Sequence, residues 1–310
     1  MAMSDFLAPD RKLFFSKNNP ADPRLGDLVK TSADEADVVI LGYPDDEGIG
    51  LNGGRTGAAL GPDGIRQVLY KTTPHLQRKS KNFADMGNLN VEVDLKTRHE
   101  KARAAVAKYL QGGTQVLSFG GGNDYAYADG MGFLDACKGL KPLIINIDAH
   151  LDVRDTAKGL NSGTPFYRLL ESGVEFDFVE FGIQSQCNAR AHFDYVEKKG
   201  GTILTLDEYL DSGRPLAEFA LDTLGETLLR KRPAFLAVDI DVFAWPYAVG
   251  SSAAWPIGLE PRELWPLYQA LLKRLDVRVV GIYEVSPPLD PAGGTVKLAA
   301  QFAHGYLHYV

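Results

Sequence analysis

Apolar residues fall along the chain in short unbroken runs, separated by longer stretches in which apolar positions recur at helical spacing. The clearest runs are ADVVILGY (36–43), TQVLSFG (114–120), PLIINID (142–148), FDFVEFG (176–182), GTILTL (201–206), PAFLAVDID (233–241) and VRVVGIYEVS (277–286). An eighth lies near DMGNLNVEVD (85–94). Amphipathic segments at 98–110, 124–138, 187–199, 215–230 and 261–274 alternate with them. Continuous apolar strands alternating with helices predict a mainly parallel sheet of about eight strands, covered on both faces by helices. No linker or shift in composition divides the chain, so residues 1–310 read as a single α/β domain, with an irregular N-terminal segment over 1–30.

Composition narrows the class. Hydrophobic residues make up 45 % and charged residues 24 % of 310, the balance of a globular protein with a large core. The 32 Gly and 17 Pro are dispersed without a period, which excludes collagen-like and low-complexity chains. A net charge of −7 argues against nucleic acid or an anionic membrane surface as partner. The longest uncharged run, Phe243 to Leu259, is broken by Gly and Pro, and the N-terminal residues lack the apolar core of a secretory signal. The expectation is a cytoplasmic protein. Cys137 and Cys187 are too few for a disulfide framework or a thiolate zinc site.

In a parallel sheet, ligands collect at the carboxyl ends of the strands, and here those ends carry chemistry. The densest is Asp148-Ala-His150-Leu-Asp152. Alternate side chains of extended backbone share a face, so all three can point at one spot. Asp239-Ile-Asp241 repeats the spacing on another strand end. Four carboxylates and an imidazole repel one another unless a divalent cation, or two, relieves them. Oxygen ligands with one nitrogen suit Mn²⁺, or Fe²⁺, Co²⁺ or Ni²⁺, better than structural zinc. A single Asp after a strand is more often a helix cap or turn former; the combined set on two strand ends is what points to metal. The glycine-rich GGGND (120–124) reads as a turn into a helix, either a phosphate cradle or a helix N-cap at Asn123 or Asp124. His75 and His99, in polar surroundings, read as surface residues, and His192, in a predicted helix, as surface or partly buried. His304 and His308, four apart, read as ordinary residues of the last helix, because no third ligand is nearby.

Taken together, GGRTGAALGPDGIR (53–66), GGGND (120–124), NIDAHLDVRD (146–155), NSGTPF (161–166), AVDIDVFAWPYAVG (237–250) and YEVSPPLD (283–290) resemble, in the same order, the ureohydrolases: arginase, agmatinase and formiminoglutamase. The resemblance spans roughly residues 37 to 305 and is greatest to the formiminoglutamase branch, because Ser162 stands before Gly163 where arginases and agmatinases usually carry His. It implies a three-layer α/β/α sandwich and two Mn²⁺ ions. One ion would take Asp148, His150, Asp239 and Asp241, the other Asp148, Asp152, Asp239 and position 123. That position departs from the family: Asn123 replaces a usual His, which implies a weak or empty second site. Ala248-Val249-Gly250, where the family has Ala-Pro-Gly, is a milder departure.

The implied reaction is attack of a metal-bound hydroxide on a linear amidine, N-formimidoyl-L-glutamate, giving L-glutamate and formamide in histidine degradation. The alternatives are a guanidino substrate (agmatine, arginine or guanidinobutyrate) or a metal-poor family member with a structural or regulatory role. Glu284 would hold the cationic nitrogens of the substrate; its other reading is a buried acid paired with an Arg. Arg154 would clamp a carboxylate, or else pair with Asp155. Asn161 and Ser162 would line the substrate site, and Asp152 would accept a proton. The family forms trimers and hexamers.

Overall fold

The computed structural model describes residues 5–308, apart from Lys138 and Leu140. Its strands are β1 (Phe6–Leu7), β2 (Val38–Gly42), β3 (Phe83–Leu89), β4 (Gln115–Phe119), β5 (Leu143–Ile147), β6 (Asp177–Ile183), β7 (Thr202–Thr205), β8 (Pro233–Asp239) and β9 (Asp276–Tyr283). Its helices are α1 (Leu25–Leu28), α2 (Glu47–Leu51), α3 (Gly61–Leu69), α4 (Leu95–Gln111), α5 (Tyr125–Ala136), α6 (Pro165–Leu170), α7 (Arg190–Lys198), α8 (Leu206–Ser212), α9 (Leu216–Leu229), α10 (Pro261–Arg274) and α11 (Gly294–His308). The strands form one sheet in the order β1-β3-β2-β4-β9-β8-β5-β6-β7. All neighbours are parallel except β1, which runs antiparallel to β3.

Burial on both faces explains the unbroken apolar strands. In β5, Ile145 and Ile147 face a core completed by α3, α8, α9, α10 and α11, while Ile144 faces the opposite core with α4, α5, α6 and α7. All five β5 residues are buried. Each such aliphatic side chain contributes roughly 1.5–3 kcal/mol by leaving water. The outcome is the expected sandwich, an α/β fold with one strand more than expected. The extra strand is β1, inside the segment expected to be irregular; two residues are too short to show a period. That segment also holds α1 and a bridge from Lys30 to Ala84. The run at 85–94 is β3, shifted toward the N-terminus. Asp94 instead caps α4, its Oδ1 accepting from Thr97 N at 3.0 Å. The segment from 187 becomes helical only at Arg190, and the Lys138 end of the 124–138 segment lies outside the described residues. Among the described residues no helix is long and apolar enough to cross a membrane.

Because β4, β9, β8 and β5 are parallel neighbours, their carboxyl ends open along one edge. The loops carrying residues 120–124, 284, 239–241 and 148–152 leave from these four ends. The connection after β2 is pinned beneath them by a buried ion pair. Arg66 on α3 grips Asp85 on β3 through Nε (2.8 Å) and Nη2 (2.9 Å), with Tyr70 OH adding 2.6 Å. Both charges are fully covered, which is tolerable because the pair is bidentate.

Candidate metal centre and active site

Both acidic motifs build the same local turn. Asp148 directly follows β5, and its Oδ1 accepts from His150 N at 2.7 Å. Asp239 ends β8, and its Oδ1 accepts from Asp241 N at 2.9 Å. In each, the first carboxylate folds the next ligand back toward itself. The strand has ended at these positions, yet alternation continues: Ala149, Leu151 and Val153 are buried in the core while His150 and Asp152 turn to the cavity. Asp152 adopts φ +46°, and Glu284, just past β9, adopts φ +63°. Such left-handed backbone in residues with a Cβ is strained and collects at functional sites.

These turns place ligand atoms of Asp148, His150 and Asp241 within 4.8 Å of one another, and likewise those of Asp148, Asp152 and Asp239. Asp148 belongs to both clusters. His150 Nδ1 lies 3.1 Å from Asp241 and 3.5 Å from Asp148. Asn123 Nδ2 donates to Asp152 (2.7 Å) and Asp148 (3.2 Å), and Asn123 N donates to Glu284 Oε1 at 3.1 Å. Among the described residues, the buried Oδ1 atoms of Asn123 and Asp241 meet no hydrogen-bond partner.

The electrostatics are those of crowded anions. Burial, then Asp241 and Asp152, pushes the Asp148 carboxyl up to about 8. Burial raises Asp152 to about 6 and drives Asp239 and Glu284 well above the usual carboxylate range. Asp241 goes the other way: burial opposes its charge, but His150 beside it prevails. His150 is correspondingly raised by Asp241 against the effect of its own burial.

A cavity of about 300 Å³ opens over these groups. It is lined by His150, Asp152, Asp239, Asp241 and Glu284, together with Asn52, Arg55, Arg154, Ser162 and Ser252. Asn161 is not among its lining residues; its Oδ1 accepts from Gly163 N at 3.0 Å and shapes the turn before α6. Arg154 pairs neither with Asp155 nor, among the described residues, with any other carboxylate. Its Nη1 donates to Asn52 Oδ1 at 2.5 Å. Among the described residues, no salt bridge joins Glu284 to an Arg of the cavity; its Oε1 accepts from Asn123 N.

Several neighbours escaped the sequence reading. His99 is fully buried rather than at the surface, its Nε2 2.7 Å from Asp124 Oδ2 and its Nδ1 2.9 Å from Arg168. His75, also expected at the surface, is half-buried, its ring centroid 6.1 Å from that of His308. Asp124 does stand at the N-cap of α5, but its side chain makes no cap bond. The glycines of GGGND serve close approach: a Cβ on Gly121 would strike Asp45 O, and one on Gly120 the Tyr283 ring. Asn146 Nδ2 joins Asp148 (3.3 Å) to Glu180 (2.9 Å), a carboxyl that burial holds well above its usual range. A signal existed for that pair, since Asn146 and Glu180 interrupt otherwise apolar strands. His304 and His308 are tied to Thr73 O and His304 O. Cys137 and Cys187 are free thiols.

A fold of this kind with this cluster defines a class, and the comparisons agree. A sequence model of the arginase family matches residues 36–308, and the chain belongs to that family. Within it the chain is similar to formimidoylglutamases. The Legionella pneumophila enzyme is 33 % identical over 85 % of this chain and 82 % of its own length. The Staphylococcus carnosus enzyme is 33 % identical over 92 % and 90 %. The crystal structure of Trypanosoma cruzi formiminoglutamase with Mn²⁺ superposes with a TM-score of 0.82 at 30 % identity, covering 93 % of this chain and 98 % of that one.

Proposed function

We propose that this chain is a Mn²⁺-dependent hydrolase of N-formimidoyl-L-glutamate. The observation that carries the reading is the pair of clusters sharing Asp148, on the floor of a cavity that also presents Glu284 and Arg154. A non-catalytic, metal-poor role is not favoured, since all four carboxylates and the imidazole converge on one place. Cytoplasmic location, histidine degradation and a trimeric or hexameric assembly belong to the same proposal.

The residues fit the metal. The donor set is oxygen-rich with one imidazole, and it leaves buried oxygens of Asp241 and Asn123 without partners. Asp148, His150, Asp239 and Asp241 would hold one ion; Asp148, Asp152, Asp239 and Asn123 would hold the other. Mn²⁺ bound there would lower the pKa of water and polarise the amidine.

The rest falls to the protein. Glu284 accepts hydrogen bonds from the amidinium nitrogens and turns the amidine carbon toward the acidic floor. Arg154 takes the substrate carboxylate, and Ser162 beside it borders the same space. Water adds to the amidine carbon and the bond to the glutamate nitrogen breaks. Asp152 takes a proton from the water and passes it to that departing nitrogen; the second water proton follows it there, so glutamate leaves with an ammonium group and formamide keeps the two hydrogens already on the amidinium nitrogen. The test is a Mn²⁺-reconstituted assay across formimidoylglutamate, agmatine, arginine and guanidinobutyrate. Formimidoylglutamate is expected to be turned over fastest; preference for a guanidino compound refutes the assignment.

Protons and cations compete for the same oxygens. Asp148 holds its proton to about pH 8 and Asp152 to about pH 6 in the metal-free protein. Mn²⁺ affinity is therefore expected to rise from pH 6 to 8, with proton release on binding. The folded metal-free chain binds more protons here than the unfolded chain, so these groups cost it stability as pH rises from about 4 to 8. The rise in melting temperature on adding Mn²⁺ should accordingly grow over that interval. Calorimetric titration in two buffers of different ionisation heat checks this, and a pH-independent affinity contradicts it.

Asn123 offers an amide where imidazole binds more strongly. Asn123→His is expected to raise Mn²⁺ affinity of the weaker site by ~10-fold or more, measured by competition with a chelating dye. No gain would mean that position 123 does not face the ion.

A further inference from the structure

Two arginines, Arg55 and Arg154, line the same cavity as the carboxylates, and the proposed chemistry uses only one. Arg55 sits on the turn after α2, bound to the loop that follows β8. Its Nε lies 3.3 Å from Ser252 O, and its Nη2 lies 2.9 Å from both Ser251 O and Ser252 O. Its backbone N donates to Ser252 Oγ at 2.8 Å. The turn is seated closely: a Cβ on Gly54 would come within 2.8 Å of Ser252 Oγ and of Ile49 Cγ2. One edge of the guanidinium is thus fixed, and among the described residues Nη1 has no hydrogen-bond partner. Arg154 is fixed differently. Asn52 accepts from it through Oδ1 and donates through Nδ2 to Ser162 Oγ at 3.0 Å.

Both arginines are exposed at the cavity mouth, and among the described residues neither makes an ion pair. Two held, unneutralised guanidinium groups in one cavity with a cluster of acids complement a molecule with a cationic end and two carboxylates. A ligand with one carboxylate leaves one of them unanswered.

We infer that Arg55 is a specificity residue for the far, side-chain carboxylate of a dicarboxylate substrate, while Arg154, positioned by Asn52, takes the carboxylate beside the scissile C–N bond. The inference rests on the formimidoyl amino acid reading above. Chain position sets the division of labour: Arg154 lies two residues from Asp152, whereas Arg55 is held on the turn after α2 by the Ser251–Ser252 loop.

The experiment compares N-formimidoyl-L-glutamate with N-formimidoyl-L-norvaline, which keeps the chain length and lacks the far carboxylate. The Mn²⁺-loaded wild-type protein should prefer the first by roughly 10- to 100-fold in kcat/KM, the value of a charge-assisted hydrogen bond from Nη1. In Arg55→Gln that preference should collapse, chiefly through KM, with norvaline turnover unchanged and serving as the folding control. Arg154→Gln should lower both substrates equally. If Arg55→Gln also lowers both equally, Arg55 merely props the Ser251–Ser252 loop and the inference fails. It fails too if the preference survives. Should the wild-type protein hydrolyse neither compound, the proposed reaction falls, and Arg55 is judged by binding alone. Selective loss of L-glutamate over L-norvaline binding in Arg55→Gln supports the assignment, and equal binding overturns it.

Discussion

Asp148→Asn is expected to cut bound Mn²⁺ by more than half and to lower kcat/KM by ~10³-fold or more. Asp148 is the carboxylate common to both clusters, so its loss weakens both sites at once. A catalytic metal supplies several kcal/mol of transition-state stabilisation, and each 1.36 kcal/mol is tenfold in rate. The metal-free fold should not suffer. The Asn oxygen can still accept from His150 N, and Asn146, whose Oδ1 is unpartnered, can turn to meet the new amide N–H. The variant also removes a buried carboxyl that is raised to about 8 because folding strips it of water. Its metal-free form should melt no lower than metal-free wild type, the expected trade between stability and a crowded functional site. Metal analysis with paired thermal melts tests both halves. Full Mn²⁺ content with full activity would remove Asp148 from the site.

Glu284→Gln separates substrate binding from metal binding. The Gln oxygen can replace Glu284 Oε1 as acceptor for Asn123 N, so the loop after β4 should keep its place. What disappears is the negative charge facing the amidinium. Charge-assisted hydrogen bonds contribute roughly 1.5–3 kcal/mol each, so kcat/KM should fall by ~10²-fold or more while Mn²⁺ content stays constant. A fall in metal content parallel to the loss of activity would reassign Glu284 to the metal centre. An unaffected rate would leave it a strained structural acid with φ +63°.

The two acidic motifs were legible because their logic is local. Three ligands at alternate positions share a face whatever the strand later packs against, and the same holds for Asp239 and Asp241. The reason given in the sequence was incomplete, since β5 stops at Ile147 and an Asp-centred turn completes the convergence. Arg154 and Glu284 were legible as residues beside a strand end. His99 was not. Its sequence neighbours are polar, but its partners Asp124 and Arg168 arrive from other segments and bury it completely. Asn161 was misplaced for a related reason: a side chain in a turn can serve the turn itself, and spacing cannot tell which.

The chain's own pattern determined the alternation of strands and helices, the double-sided burial of the sheet, and the identity of the acidic strand ends. All of these follow from interactions within a few residues. Tertiary structure alone decided that β4, β9, β8 and β5 are neighbours, and therefore that residues 123, 148, 239 and 284 meet. It alone decided that Arg55 is bound to the Ser252 loop, 197 residues away, and lines the same cavity as the carboxylates. Strand order and loop docking depend on how whole layers pack, a sum of weak contacts between distant segments that no short stretch of sequence encodes.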